Sequence, residues 1–116
     1  MLNLPLNPGK ELESLTVQAL TNAMVRALLW LQNATPQQIL ATVPESYQLG
    51  DKAMYLFAYD NVREAISPDG LIPEAGARTA LKVLKTSNPK VNYTKVNLAE
   101  TYTNQFVQNA LKKYRK

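Results

Sequence analysis

Apolar residues recur along this chain at steps of three and four, and the stretches between them end in proline, glycine or asparagine. That pattern predicts helices joined by short turns. From about Lys10 to Gln32, Val17, Leu20, Met24, Ala27, Leu28 and Leu31 form one apolar stripe, and Val25, Leu29 and Trp30 widen it toward burial on more than one side. Thr35-Pro36-Gln37-Gln38 then opens a short helix ending near Thr42. Threonine is the cap, proline the first helical residue, and Gln38 stands at the capping-box position. Val43-Pro44 closes it, because a residue before proline is pushed out of the α region.

Asp51 predicts the N-cap of a third helix that runs to Ile66, with a core stripe of Met54, Phe57, Ala58, Val62 and Ala65 and with Tyr55 and Tyr59 on another face. Ser67-Pro68-Asp69-Gly70 is strong turn chemistry: proline sets φ, aspartate bonds its own backbone, and glycine permits positive φ. Pro73 is expected at the first position of a fourth helix reaching about Thr86, with Ala77, Ala80, Leu81 and Leu84 on one face. Asn97-Leu98-Ala99-Glu100 reads as a second capping box, opening a last helix that carries Tyr102, Phe106 and Ala110 to about Tyr114. The expected fold class is all-α, about five helices and no strand. It is organised as an irregular leader over residues 1–9, one helical domain over 10–114 and a basic end at 115–116.

Composition narrows the chemistry. The 116 residues suit one domain or a piece of one, and 46% hydrophobic content argues for a folded chain. Cysteine and histidine are both absent, which excludes disulfides, thiolate nucleophiles, histidine triads and the usual zinc sites. Asp60 and Glu64 lie four apart beside Arg63, the pattern of a solvated helix face rather than of a general acid and base. Ser67 has no base to activate it, the glycines form no phosphate loop, and Asp69-Gly70 lacks the repeated oxygen ligands of a calcium loop. Trp30 and the Tyr55/Tyr59 pair are expected to pack rather than stack on a ligand. No enzyme, cofactor or metal is expected.

Charge is a property of the tail. Of thirteen basic residues, Lys112, Lys113, Arg115 and Lys116 are four, and removing them leaves nine against nine acidic residues. These cations suit the C-terminal end of a helix dipole. Specific nucleic-acid binding would need a basic face with interleaved aromatics, which the sequence lacks. No apolar run is long enough to insert in a membrane. The first residues have no basic segment ahead of an apolar one, so a chain made as written would stay in the cytoplasm.

Several motifs occur in a fixed order: Asn22-Ala23-Met24-Val25-Arg26-Ala27-Leu28-Leu29-Trp30-Leu31, Thr35-Pro36-Gln37-Gln38-Ile39, Val43-Pro44-Glu45-Ser46-Tyr47, Gly50-Asp51, Ser67-Pro68-Asp69-Gly70 and Thr101-Tyr102-Thr103-Asn104. Together, from about Val17 to Val107, they resemble the C-terminal part of the periplasmic solute-binding proteins of ABC transporters of the nitrate, sulfonate and bicarbonate type. The resemblance implies the helical part of a two-lobed protein that holds a small anion between α/β lobes, hands it to a transporter permease and works in the periplasm. Those lobes and their cleft have no counterpart in this sequence. The matching motifs are helix caps and turns (Thr35, Pro36, Asp51, Ser67, Pro68, Asp69, Gly70, Pro73 and Asn97), so no ligand-binding residue is carried over. The alternative is a free-standing helical module for interaction or oligomerisation. Either way the first helix has more apolar surface than one chain can cover, which predicts a homodimer with Met24, Val25, Leu28, Leu29 and Trp30 at the interface.

Overall fold

The computed structural model describes residues 8–115, with side chains from residue 11. Among these residues the chain is all-α, with no strand: α1 (Pro8–Asn33), α2 (Pro36–Thr42), α3 (Lys52–Val62), α4 (Glu74–Ser87) and α5 (Gln105–Tyr114), with four 3₁₀ turns between α2 and α5. The first helix starts at Pro8, inside the expected leader, because proline at a helix start loses no hydrogen bond and has φ preset. The rest of the expected leader, residues 1–7, lies outside the described residues.

The core is small and lies between α1 and α5. Val25, Ala110 and Leu111 are buried, and Leu29, Leu71, Val107 and Tyr114 pack against them. Val107, Ala110, Leu111 and Tyr114 fall on one stripe of α5 by helical spacing. The two helices run parallel, since Gln18 Nε2 donates to the Phe106 carbonyl at 2.9 Å and the Arg26 guanidinium lies 5.3 Å from the Tyr114 ring centre. Asn109 reinforces that register by donating to Gln18 Oε1 at 3.1 Å. At 1.5 Å per residue α1 is about 39 Å long and α5 about 15 Å, so α5 covers less than half of it.

The α2 segment follows its local signals. Thr35 Oγ1 accepts from Gln38 N at 3.2 Å and Gln38 Oε1 accepts from Thr35 N at 2.8 Å, the reciprocal capping box. Ile39 is buried. Gln48 is buried too, and its Nε2 donates to the carbonyls of Leu40 and Val43, both at 3.0 Å. One amide thus satisfies carbonyls that the end of α2 leaves free. Leu49 (φ 54°) and Gly50 (φ 72°) reverse the chain, and Asp51 Oδ1 caps α3 by accepting from Met54 N at 3.0 Å.

Four sequence expectations are corrected. The third helix ends as α-helix at Val62 and tightens into a 3₁₀ turn over Arg63–Ala65. Its expected core stripe faces outward: Met54 is 58% exposed, Phe57 65% and Val62 54%, while Tyr55, Leu56 and Tyr59 are half-buried. Helical periodicity located apolar faces but could not say which one a neighbour covers. Pro73 is the N-cap of α4, in extended conformation, rather than its first helical residue. The capping box at Asn97 does not form. Asn97 precedes only the 3₁₀ turn Leu98–Glu100 and makes no side-chain cap, and α5 begins at Gln105. The intervening residues have another role: Leu98 and Tyr102 close a cleft over α4, and Asn104 fastens the Ser67–Pro73 turn.

The result is an open assembly. Its radius of gyration is 19.0 Å, against about 13 Å for a compact chain of this length.

Candidate functional site

The Ser67–Pro73 turn is where the helices meet. Ser67 Oγ accepts from Gly70 N at 2.8 Å and Asp69 Oδ1 accepts from Leu71 N at 3.0 Å. Gly70 has φ 86°, and a Cβ there would lie 3.4 Å from Leu28 Cδ1 and 3.6 Å from both Val25 Cγ2 and Val107 Cγ1. The turn is therefore pressed onto the α1–α5 seam. Asn104 then grips its far end as a strand would. Ile72 N donates to Asn104 Oδ1 and Asn104 Nδ2 donates to Ile72 O, both at 2.9 Å. With its amide committed there, Asn104 gives α5 no side-chain cap, and Thr103 Oγ1 instead accepts from Gln105 N at 3.2 Å. Arg115 folds back to Asp69 Oδ2 at 3.2 Å.

The Ser67 and Asp69 side chains and both backbone polar groups of Ile72 are engaged within the chain. Ser67, Pro68, Asp69 and Gly70 form a structural hub, and Ser67 Oγ is occupied as an acceptor. Asp60 and Glu64 are exposed. No cluster of three or more carboxylates that could hold a metal occurs among the described residues.

One concavity lies between α4 and the segment after it. It is a cleft of about 310 Å³ lined by Ile72, Ala77, Ala80, Leu81, Leu84, Tyr93, Val96, Leu98, Thr101 and Tyr102. Its walls are almost wholly apolar. The Tyr93 hydroxyl lies 2.9 Å from Leu84 O and 3.0 Å from Asn88 O, so its single proton is shared between two carbonyls at the end of α4. Such a surface receives an apolar side chain; it has no convergent charged or amide donors for a small anion.

The residues expected at an interface divide. Val25 is buried in the chain's own core, and Leu28 and Leu29 are half-buried, which corrects their assignment to an outer surface. Met24 (63% exposed) and Trp30 (40%) remain outside, and Trp30 lines a shallow recess with Ala23, Arg26, Ala27, Leu29 and Tyr114. The basic end is partly engaged, with Lys113 5.4 Å from the Tyr114 ring centre and Arg115 on Asp69. Sequence reasoning missed the Asn104 clasp, the Gln18 register contacts and the Arg115–Asp69 pair. All three join residues far apart in the chain and leave no local pattern.

No protein-family model matches the sequence, and no curated protein matches it. A solved structure of a protein from Bordetella bronchiseptica RB50 is similar, with 48% sequence identity and a TM-score of 0.81 over 87% of this chain and 32% of that one. The chain thus spans about a third of the length of the protein it matches.

Proposed function

We propose that these helices serve as the C-terminal helical segment of an ABC-transporter solute-binding protein that takes up a small anion such as nitrate, a sulfonate or bicarbonate in the periplasm. The observation that carries the first half of this reading, a segment of a longer protein, is the similarity to one third of a longer solved protein at 48% identity. The ordered caps and turns that resemble the transporter family support it. So does the open packing, because the apolar faces of α1 and α3 suit helices that brace further structure. The anion would be held by the α/β lobes, since the Ser67 and Asp69 side chains are already engaged within the chain. Among the described residues no helix is long and apolar enough to cross a membrane, so the segment would act beside a permease rather than within it.

The test is a chimera in which this chain replaces the equivalent third of the Bordetella protein. The expected product is a folded protein whose melting temperature rises with one of nitrate, taurine or bicarbonate, because a ligand that binds only the native state stabilises it. The 116-residue chain alone is expected to give no calorimetric isotherm with any of them. A folded chimera indifferent to all three, or a one-to-one micromolar isotherm for the chain alone, overturns the proposal.

A further inference from the structure

The chain contains one Asp-Gly step, Asp69-Gly70, and no Asn-Gly or Asn-Ser step. At such steps a backbone is most open to attack on its own side chain. The nitrogen of glycine can bond to the carboxyl carbon of the residue before it, because no Cβ hinders the approach. In the folded chain both reacting groups are tied elsewhere. Gly70 N donates to Ser67 Oγ at 2.8 Å, in a part-buried bond. Asp69 Oδ1 accepts from Leu71 N at 3.0 Å, and Asp69 Oδ2 accepts from Arg115 at 3.2 Å. Ring closure requires the Gly70 peptide to turn and the carboxyl carbon to swing onto its nitrogen. Gly70 has little room to turn, since its open side faces Leu28, Val25 and Val107 with 3.4–3.6 Å left for a Cβ. The Arg115 side chain is half exposed, so that ion pair is a weak tie. The Ser67 bond is the main restraint on the attacking nitrogen.

We propose that Asp69-Gly70 is a latent isoaspartate site, held unreactive by the Ser67 hydroxyl and released when the turn lifts off the α1–α5 seam. In the released turn Gly70 N bonds to Asp69 Cγ and gives up its proton. The carboxylate takes one proton from solvent and, with the proton given up by the nitrogen, loses one oxygen as water. The five-membered succinimide then adds one water at the main-chain carbonyl of Asp69. The bond from that carbonyl to Gly70 N breaks, and Gly70 stays joined through the side-chain carbonyl. The product has the mass of the parent, a backbone longer by one methylene, and a new carboxylate beside it. Water is the only other reactant. The longer turn no longer fits its seat. Ser67 is held to Gly70 at one end and Ile72 to Asn104 at the other, with Gly70 against the core between them. That span has no slack for an extra methylene, so an isomerised chain does not regain the seam, and the modification records that the turn has opened. The proposal stands apart from the transport reading.

The test follows isoaspartate at residue 69 of the 116-residue chain at neutral pH. Peptide mapping separates the isomer, and enzymatic methylation of the new carboxylate is an independent readout. The folded parent is expected to accumulate it roughly tenfold or more slowly than the same chain held unfolded in urea, because the reaction waits on a minor opened state. Ser67→Ala is expected to raise the folded rate roughly fivefold, the worth of one hydrogen bond. Ser67→Thr, which keeps the hydroxyl, is expected to stay near the parent. Thr35→Ala removes a hydroxyl cap of similar worth on α2 and is expected to leave the rate at Asp69 unchanged, because the opening is local. A folded parent that isomerises as fast as the unfolded chain overturns the proposal, as does a folded Ser67→Ala chain no faster than the parent. Equal acceleration by Thr35→Ala and Ser67→Ala also overturns it, since global unfolding alone would then expose the step. Should Ser67→Ala fail to fold, the parent in low urea decides. Isoaspartate is expected to rise before helix is lost by circular dichroism, and a rate that climbs only with helix loss sinks the idea.

Discussion

Valine placed at Gly70 and at Gly50 separates what a glycine does for the backbone from what it does for packing. Both residues have positive φ, 86° and 72°. A branched residue there costs about 1–3 kcal/mol at either site through backbone strain alone. The surroundings differ. A Cβ at Gly50 meets nothing within 4 Å, whereas at Gly70 three core methyls stand 3.4–3.6 Å away. A Cβ fits Gly70 at van der Waals contact with no room beyond. The two Cγ atoms of valine reach about 1.5 Å further and enter the space of Val25, Leu28 or Val107, which are held by α1 and α5. Overpacking of that kind costs about 1–3 kcal/mol. Gly70→Val is therefore expected to destabilise the chain by about 1–3 kcal/mol more than Gly50→Val. The assay is urea unfolding followed by circular dichroism, with stability taken by linear extrapolation. All variants are compared at one protein concentration, because association adds to apparent stability. Agreement of the two variants within about 0.5 kcal/mol would refute the account of Gly70 as the point where the turn is pressed onto the core.

Three other outcomes follow from the local geometry. Thr35→Ala removes the hydroxyl half of the capping box and is expected to cost about 1 kcal/mol, with faster hydrogen exchange at the start of α2 than elsewhere. Asn104→Asp keeps the acceptor for Ile72 N but sets a carboxylate against the Ile72 carbonyl; a loss of about 1–2 kcal/mol is expected, and an Asn104→Asp protein as stable as the parent would show that the clasp is idle. Any binding to DNA is expected to be weak, independent of sequence and steeply reduced by salt. It should vanish when residues 112–116 are deleted, and binding that survives the deletion at physiological salt would reveal a basic surface elsewhere.

The sequence alone determined the features that depend on near neighbours. The class is helical because apolar residues recur at helical steps, and Thr35 and Asp51 cap their helices because each donor lies three residues from its acceptor. Gly70 takes positive φ where the turn chemistry requires it. Tertiary structure decided which apolar face is covered. On α1 the covered residue is Val25, expected at an interface, and Met54 and Phe57 of α3 are exposed although their spacing marks a core stripe. Periodicity specifies that a face is apolar but carries no information on its partner, and the α5 stripe that covers Val25 lies more than eighty residues away. The failed box at Asn97 has the same cause. A cap is worth about 1 kcal/mol, and there it competed with the apolar contacts of Leu98 and Tyr102 over α4 and with the two hydrogen bonds exchanged between Asn104 and Ile72. Local preference prevails where nothing distant opposes it, and it yields where several long-range contacts together exceed the worth of one cap.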